Sequence, residues 1–183
     1  MRPKVVRNLE RKLLFYPVRR ACSSAIQMAL GQDFCDWYTI HDDSTLQRFT
    51  CYRNTFDRLR SLYYNFVFPA EQGFNDFGLG ITLINRFGDF DVTFNTWLLH
   101  VANTRDETCN EHLHSQDWHL IVPNLTVYDF EDRQIIFDQV LHKQVEQLGQ
   151  ASPDLSFLKL GPSALKAIYN RYAPELETFS YLP

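Results

Sequence analysis

The sequence predicts an α/β protein with a small central parallel sheet flanked by helices, and three observations carry that expectation. Twice, at residues 13–30 and 49–66, a short apolar or β-favouring run leads through a turn into a segment with helical apolar spacing. A third β-favouring run, Leu125 to Phe130, precedes another stripe of that spacing. At 183 residues the chain is long enough to bury a core and has the usual size of one domain, so a single domain over 1–183 is expected.

Taken in order, Leu13, Leu14, Phe15 and Tyr16 form an apolar run stopped by Pro17, which reads as a buried strand. Ser23 or Ser24 is placed to cap the following helix, Ile26, Ala29 and Leu30 supply its apolar face, and Gly31 is placed to end it. Phe49 to Tyr52 reads as the next strand and Arg53 to Thr55 as a turn. Phe56, Leu59, Leu62, Tyr63 and Phe66 then recur at helical spacing. Residues 71–91 mix Gly73, Gly78, Gly80 and Gly88 with aromatics, the composition of an irregular surface segment. Phe94, Trp97, Leu98 and Val101 make an i, i+3, i+4, i+7 stripe. Phe137, Val140, Leu141, Val145 and Leu148 make another, and Leu165, Ile168, Tyr169 and Tyr172 a last one after Ser163.

Composition narrows the function classes. The charged fraction is 22% and the net charge −4, which disfavours a nucleic-acid binder relying on whole-chain electrostatics. The longest apolar runs fall far short of the ~20 residues that span a bilayer, and the basic start, residues 1–12, lacks the apolar stretch of a secretory signal. A cytoplasmic protein with no membrane span is expected. Cys22, Cys35, Cys51 and Cys109 have neither CxxC spacing nor the density of a disulfide scaffold and read as free thiols.

The two strand-to-helix turns are where chemistry is expected. A helix N-terminus offers unpaired N–H groups and a partial positive charge, so a turn leading into one is a natural anion site. Arg19 and Arg20 add guanidinium groups to the first turn, Ser23 and Ser24 add hydroxyls, and the small side chains of Ala21 and Cys22 allow close approach. In the second, Arg53 stands at a strand end. Ser61 follows about two helical turns later, on the same helical face as Asn54 and Arg58. An anion there could take a charge-assisted bond from Arg53 and a hydroxyl bond from Ser61.

At these residues the chain resembles the carbohydrate-type sulfotransferases that use 3′-phosphoadenosine 5′-phosphosulfate (PAPS). Their 5′-phosphosulfate loop runs Pro-Lys, a variable residue, a small residue, Cys or Ser, then Thr or Ser. Residues 18–24, Val-Arg-Arg-Ala-Cys-Ser-Ser, are similar. Their 3′-phosphate element runs Val-Arg-Asn-Pro, aromatic, acidic, Arg-Leu, then Ser two positions on and an aromatic. Residues 52–63, Tyr-Arg-Asn-Thr-Phe-Asp-Arg-Leu-Arg-Ser-Leu-Tyr, are similar over the full length, and this is the more specific match. His112 to Gln116 resembles a His-Trp-x-Pro-Gln segment, Tyr128 to Glu131 a strand ending in Phe-Glu, and Tyr169, Phe179 and Tyr181 an aromatic C-terminus. Val18 and Thr55 stand where the family has proline, and Arg19 where it has lysine.

The resemblance implies a P-loop-like sulfotransferase fold and in-line transfer of a sulfuryl group from PAPS to an acceptor hydroxyl, on a glycan or related compound, with no metal. It implies that Arg19, Arg20, Ala21, Cys22, Ser23 and Ser24 hold the 5′-phosphosulfate, with Arg19 as catalytic cation, and that Arg53 and Ser61 hold the 3′-phosphate. Histidine is the leading general base near neutral pH, and His41 and His112 are the candidates. His100, His119 and His142 read as packing or surface residues, and Glu71 is a carboxylate alternative. His112 and His114 are too close for the i, i+4 pair of HExxH, which argues against zinc. Two other readings stand beside this one: a nucleotide-binding or interaction protein that kept the fold without turnover, and a P-loop kinase, against which the lack of GxxxxGK[ST] argues.

Overall fold

Short apolar strands need partners to satisfy their backbone groups, and four strands within residues 5–52 and one at residues 125–129 supply them to one another. A computed structural model describes residues 5–18, 21–31, 33–35, 45–67, 93–105, 111–116, 122–142 and 154–179. The chain divides into two compact units, Met1–Asn54 with Gln116–Ala151 and Thr55–Ser115 with Ser152–Pro183.

The first unit is built on a five-stranded sheet of β1 (Val5–Asn8), β2 (Leu13–Tyr16), β3 (Phe34–Cys35), β4 (Gln47–Tyr52) and β5 (Leu125–Asp129), in the order β3-β1-β2-β4-β5. The expected parallel arrangement holds for the predicted strands: β2 runs parallel to β4, with Phe15 opposite Phe49, and β4 parallel to β5, with Phe49 opposite Thr126. The sheet as a whole is mixed, because β1 pairs antiparallel with both β2 and β3. These two strands escape a reading by periodicity for a physical reason. β1 offers four residues, Val-Val-Arg-Asn, and β3 only two, too few to show alternation, and β1 joins β2 through a tight turn in which Lys12 takes φ 55°.

Alternation along β2 sends its side chains into two different cores. Leu13 and Phe15 meet Val6, Phe49 and Cys51, together with Ile26 and Leu30 of helix α1 (Ser23–Leu30) and with Ile136, Phe137, Val140 and Leu141. Leu14 and Tyr16 pack on the other face with Val5, Leu46 and Val122. Burial on both faces is why β2 reads as a continuous apolar run. The Phe15 and Phe49 rings lie 5.1 Å apart, and each buried aromatic of this kind contributes about 1.5–3 kcal/mol.

α1 begins one residue earlier than a serine cap would place it. Its N-cap is Cys22, in the left-handed region at φ 47°, with no side-chain cap bond; Ser23 and Ser24 are the first helical residues. Gly31 ends the helix at φ 100°, donating its N–H to the carbonyl of Gln27. After β5, a single helical turn, α4 (Arg133–Ile135), passes into a π-helical turn, Ile136–Val140. Phe137, Val140 and Leu141 are buried as their spacing predicts, but the regular helix expected there is replaced by these two short turns; Val145 and Leu148 lie outside the described residues.

The second unit is helical. α2 (Thr55–Leu62) continues into a π-helical turn, Tyr63–Val67. α3 (Phe94–Asn103) and α5 (Pro162–Thr178) pack against each other, with a 3-10 turn at Glu111–Leu113 between them in sequence. The predicted stripes form its core: Phe56, Leu59, Leu62 and Tyr63 from α2, Phe94, Trp97, Leu98 and Val101 from α3, Ile168 and Tyr172 from α5. Tyr169 departs from its stripe and is exposed. Thr93 caps α3 by accepting from the N–H of Thr96 at 3.3 Å, and Pro162 opens α5 where a missing N–H costs nothing. The 71–91 segment lies outside the described residues.

Candidate functional site

In the first unit, parallel pairing of β2 with β4 brings their carboxyl ends to one edge of the sheet, which is where α/β sheets bind ligands. β2 leads through Pro17 into the turn that opens α1. The turn is closed by the N–H of Ala21 bonding to the carbonyl of Val18 at 3.3 Å. Ala21 and Ser23 are buried, Cys22 is half-buried and Ser24 exposed. No acidic residue lies in the first turn of α1 and no side chain caps it, so its leading N–H groups keep their affinity for an anion. Arg19, Arg20 and His41 lie outside the described residues.

β4 ends in Tyr52 and Arg53, and three contacts from Gln116 define this end. The Arg53 N–H donates to Gln116 Oε1 at 3.1 Å, Gln116 Nε2 donates to the Arg53 carbonyl at 2.9 Å, and Tyr52 Oη donates to the Gln116 carbonyl at 2.6 Å. A buried glutamine thus takes the place of a strand partner for Arg53. The Arg53 guanidinium, on a residue only 7% exposed, lies 4.5 Å from the centre of the Phe130 ring. Arg133 stacks on the same ring at 4.4 Å and donates to the Phe130 carbonyl at 3.0 Å. Two guanidinium groups therefore stand at the carboxyl ends of β4 and β5. Arg133 was not singled out from the sequence; its place three residues after the Phe130 that ends the strand is the signal that could have found it.

Beneath this edge, Thr50 Oγ1 donates to the Tyr16 carbonyl at 2.6 Å, tying β4 to the end of β2. Cys51 faces the α1 side, and its sulfur lies 3.4 Å from that of Cys22. The hydrogen bond with Cys22, then burial, push the Cys51 thiol above its ordinary pKa. Both read as free thiols, as does Cys35; Cys109 lies outside the described residues.

In the second unit, the helix face that carries Arg58 and Ser61 is buried rather than open. Ser61 is 3% exposed, and its carbonyl accepts from Asn65 Nδ2 at 2.6 Å. Arg58 is 1% exposed and so is no surface cation: it donates to the carbonyls of His112 and His114, at 3.1 and 3.0 Å, and lies over the Tyr172 ring. Its carboxylate partner, which the sequence did not point out, is Glu175 of α5, fully buried, 3.6 Å from Arg58 Nη2. Glu175 also accepts from Ser115 Oγ at 3.0 Å and from Thr55 Oγ1. Thr55 thereby ties the start of α2 to this carboxylate.

His112 is half-buried in the 3-10 turn, and its carbonyl accepts from Arg58. The neighbouring Leu113 carbonyl accepts from Tyr172 Oη at 2.7 Å and Arg171 Nη2 at 3.3 Å, so residues 112–114 are pinned to α2 and α5 by their backbone carbonyls. Among the described residues no group of three or more His, Cys, Asp or Glu could hold a metal ion, and no helix is long and apolar enough to cross a membrane.

Comparison of the chain with protein-family models, with curated proteins and with solved structures finds no match.

Proposed function

We propose that the chain is a PAPS-dependent sulfotransferase, transferring a sulfuryl group to an acceptor hydroxyl, with a glycan or related compound as acceptor. The observation that carries the reading is the parallel pairing of β2 and β4. It brings the carboxyl end of β2, which leads toward residues 18–24, and that of β4, which leads to Arg53, to the same edge of one sheet; the family resemblance assigns residues 18–24 and Arg53 to the two phosphate groups of the cofactor. The uncapped N-terminus of α1 and the aromatic-supported guanidinium of Arg53 are both suited to an oxyanion.

In this reading the backbone N–H groups of residues 22–24 and the Arg19 and Arg20 side chains receive the 5′-phosphosulfate. The family resemblance assigns the 3′-phosphate to Arg53 and Ser61. As the acceptor oxygen attacks sulfur in line and the bond to the bridging oxygen breaks, negative charge gathers on the departing phosphate. A fixed cation at Arg19 and the dipole of α1 stabilise that charge. Arginine supplies a planar, permanently charged fork where a lysine would supply a point charge. A histidine, His41 or His112, takes the acceptor's proton.

Calorimetry with adenosine 3′,5′-bisphosphate tests the assignment. Arg53→Ala and Ser61→Ala should each weaken binding, Arg53→Ala by about 1.5–3 kcal/mol, the usual worth of a hydrogen bond to a charged group. Unchanged affinity in both variants removes the cofactor assignment. With labelled PAPS and a panel of sugars and glycans, His41→Ala or His112→Ala should abolish transfer while nucleotide binding persists. A chain that binds the nucleotide but transfers no sulfate to any acceptor is the turnover-free alternative.

A further inference from the structure

The two sulfurs of Cys22 and Cys51 lie 3.4 Å apart, in contact, although the residues are separated by 29 positions and belong to different elements of the first unit. Cys22 is the left-handed N-cap of α1 and Cys51 lies within β4. We propose that Cys22 and Cys51 are a redox pair that closes into a reversible disulfide on exposure to a small-molecule disulfide oxidant such as oxidised glutathione. This goes beyond the sulfotransferase reading and does not depend on it.

Closing the sulfurs from 3.4 Å to a bond of about 2.05 Å requires an approach of only about 1.3 Å, within reach of side-chain rotation and a small shift of the turn. Access is asymmetric, as in pairs with one attacking and one resolving thiol: Cys22 is half-buried and Cys51 fully buried. Among the described cysteines the pairing is specific, since Cys35 sits on β3 with its sulfur 3.5 Å from the Val5 carbonyl. Cys22 holds a backbone conformation unfavourable to a residue with a side chain, and a covalent tie to β4 would restrain that turn.

The chemistry balances in two exchanges. The Cys22 thiolate attacks one sulfur of oxidised glutathione, forming a mixed disulfide and releasing one glutathione thiolate. Cys51 then loses its proton, and its sulfur attacks the Cys22 sulfur and displaces the second glutathione. Two protein thiols are oxidised and one glutathione disulfide is reduced to two thiols. Burial raises the Cys51 thiol above its ordinary pKa, which makes the second exchange the slow one and calls for incubation over hours.

The test incubates the folded chain with oxidised glutathione, blocks remaining thiols under denaturing conditions, and maps peptides by mass spectrometry. The thiol count should fall from four to two, with one cross-link joining Cys22 to Cys51 that dithiothreitol reverses. Cys22→Ser should form no cross-link, and Cys51→Ala should stop at the Cys22–glutathione adduct. If Cys51→Ala fails to fold, the map of the unaltered chain and Cys22→Ser decide alone. A final state with Cys22 glutathionylated and Cys51 still reduced, with Cys22 unmodified, or with Cys22 joined to Cys35 or Cys109, overturns the proposal.

Discussion

Replacing Glu175 by glutamine removes the one carboxylate among the described residues that pairs with Arg58 in the helical unit, where the two side chains are 0% and 1% exposed. At 3.6 Å and an effective dielectric constant of about 20, their attraction is about 5 kcal/mol. Glutamine relieves the cost of burying the carboxylate, but it leaves the guanidinium buried without a counter-charge. It also turns an amide nitrogen toward one of the two hydroxyls, Thr55 Oγ1 or Ser115 Oγ, that Glu175 accepts from. Loss of one partner of a buried pair typically costs about 3–5 kcal/mol, and that is the expected loss for Glu175→Gln. The carbonyls of His112 and His114 still receive Arg58, which keeps the loss within this range. Urea unfolding followed by fluorescence of Trp97, buried in the same core, measures it. Arg58→Met should cost a similar amount. The double variant should lose at least 2 kcal/mol less than the sum of the singles, because deleting both charges leaves neither unpaired. A Glu175→Gln loss below about 1 kcal/mol, or strict additivity in the cycle, would show that the pair contributes nothing to holding α2 to α5 and would refute the reasoning.

Gln116→Ala should expose the Arg53 amide to solvent exchange, raising its hydrogen-exchange rate at least tenfold, since the N–H loses the buried acceptor Gln116 Oε1; an unchanged rate would mean that the glutamine clamp does not order the end of β4. Tyr172 gives a pH dependence. Burial, partly offset by Arg58 and Arg171, raises its pKa from the ordinary 10 to about 12. Between these values the unfolded chain holds fewer protons than the folded one, so this contribution to stability is complete below pH 10 and declines as pH rises through the window, by at most about 2–3 kcal/mol. Urea midpoints of Tyr172→Phe should fall less steeply across that window than those of the unaltered chain; parallel profiles would contradict the assignment.

Much of the architecture was legible from local pattern. The run Leu13–Tyr16, the strand before Arg53 and the stripes of α2 and α3 stand where apolar spacing puts them, because each buries a face whose period is set by its own backbone geometry; Leu125–Asp129 forms the expected strand, and α5 buries Ile168 and Tyr172 of its stripe but not Tyr169. The mixed character of the sheet was not legible, since β1 and β3 are stabilised by pairing and too short to carry a period of their own. The serine cap expected for α1 gave way to Cys22, because capping is decided by where the backbone turns and not by which side chain has the better oxygen.

The sequence by itself determined which residues are chemically suited to an anion, namely the small and hydroxyl-bearing run before α1 and the arginine after β4. It did so because residue type and order along the chain suffice to state that chemistry. Only the tertiary structure decided that the strands leading to these residues end at one sheet edge, that Gln116 and Phe130 shape the surroundings of Arg53, and that Arg58 belongs to a buried network with Glu175 rather than to the surface. It also brought Cys22 into contact with Cys51. Each of these pairings joins residues 29 to 117 positions apart, and no local period reports a contact made across such separations.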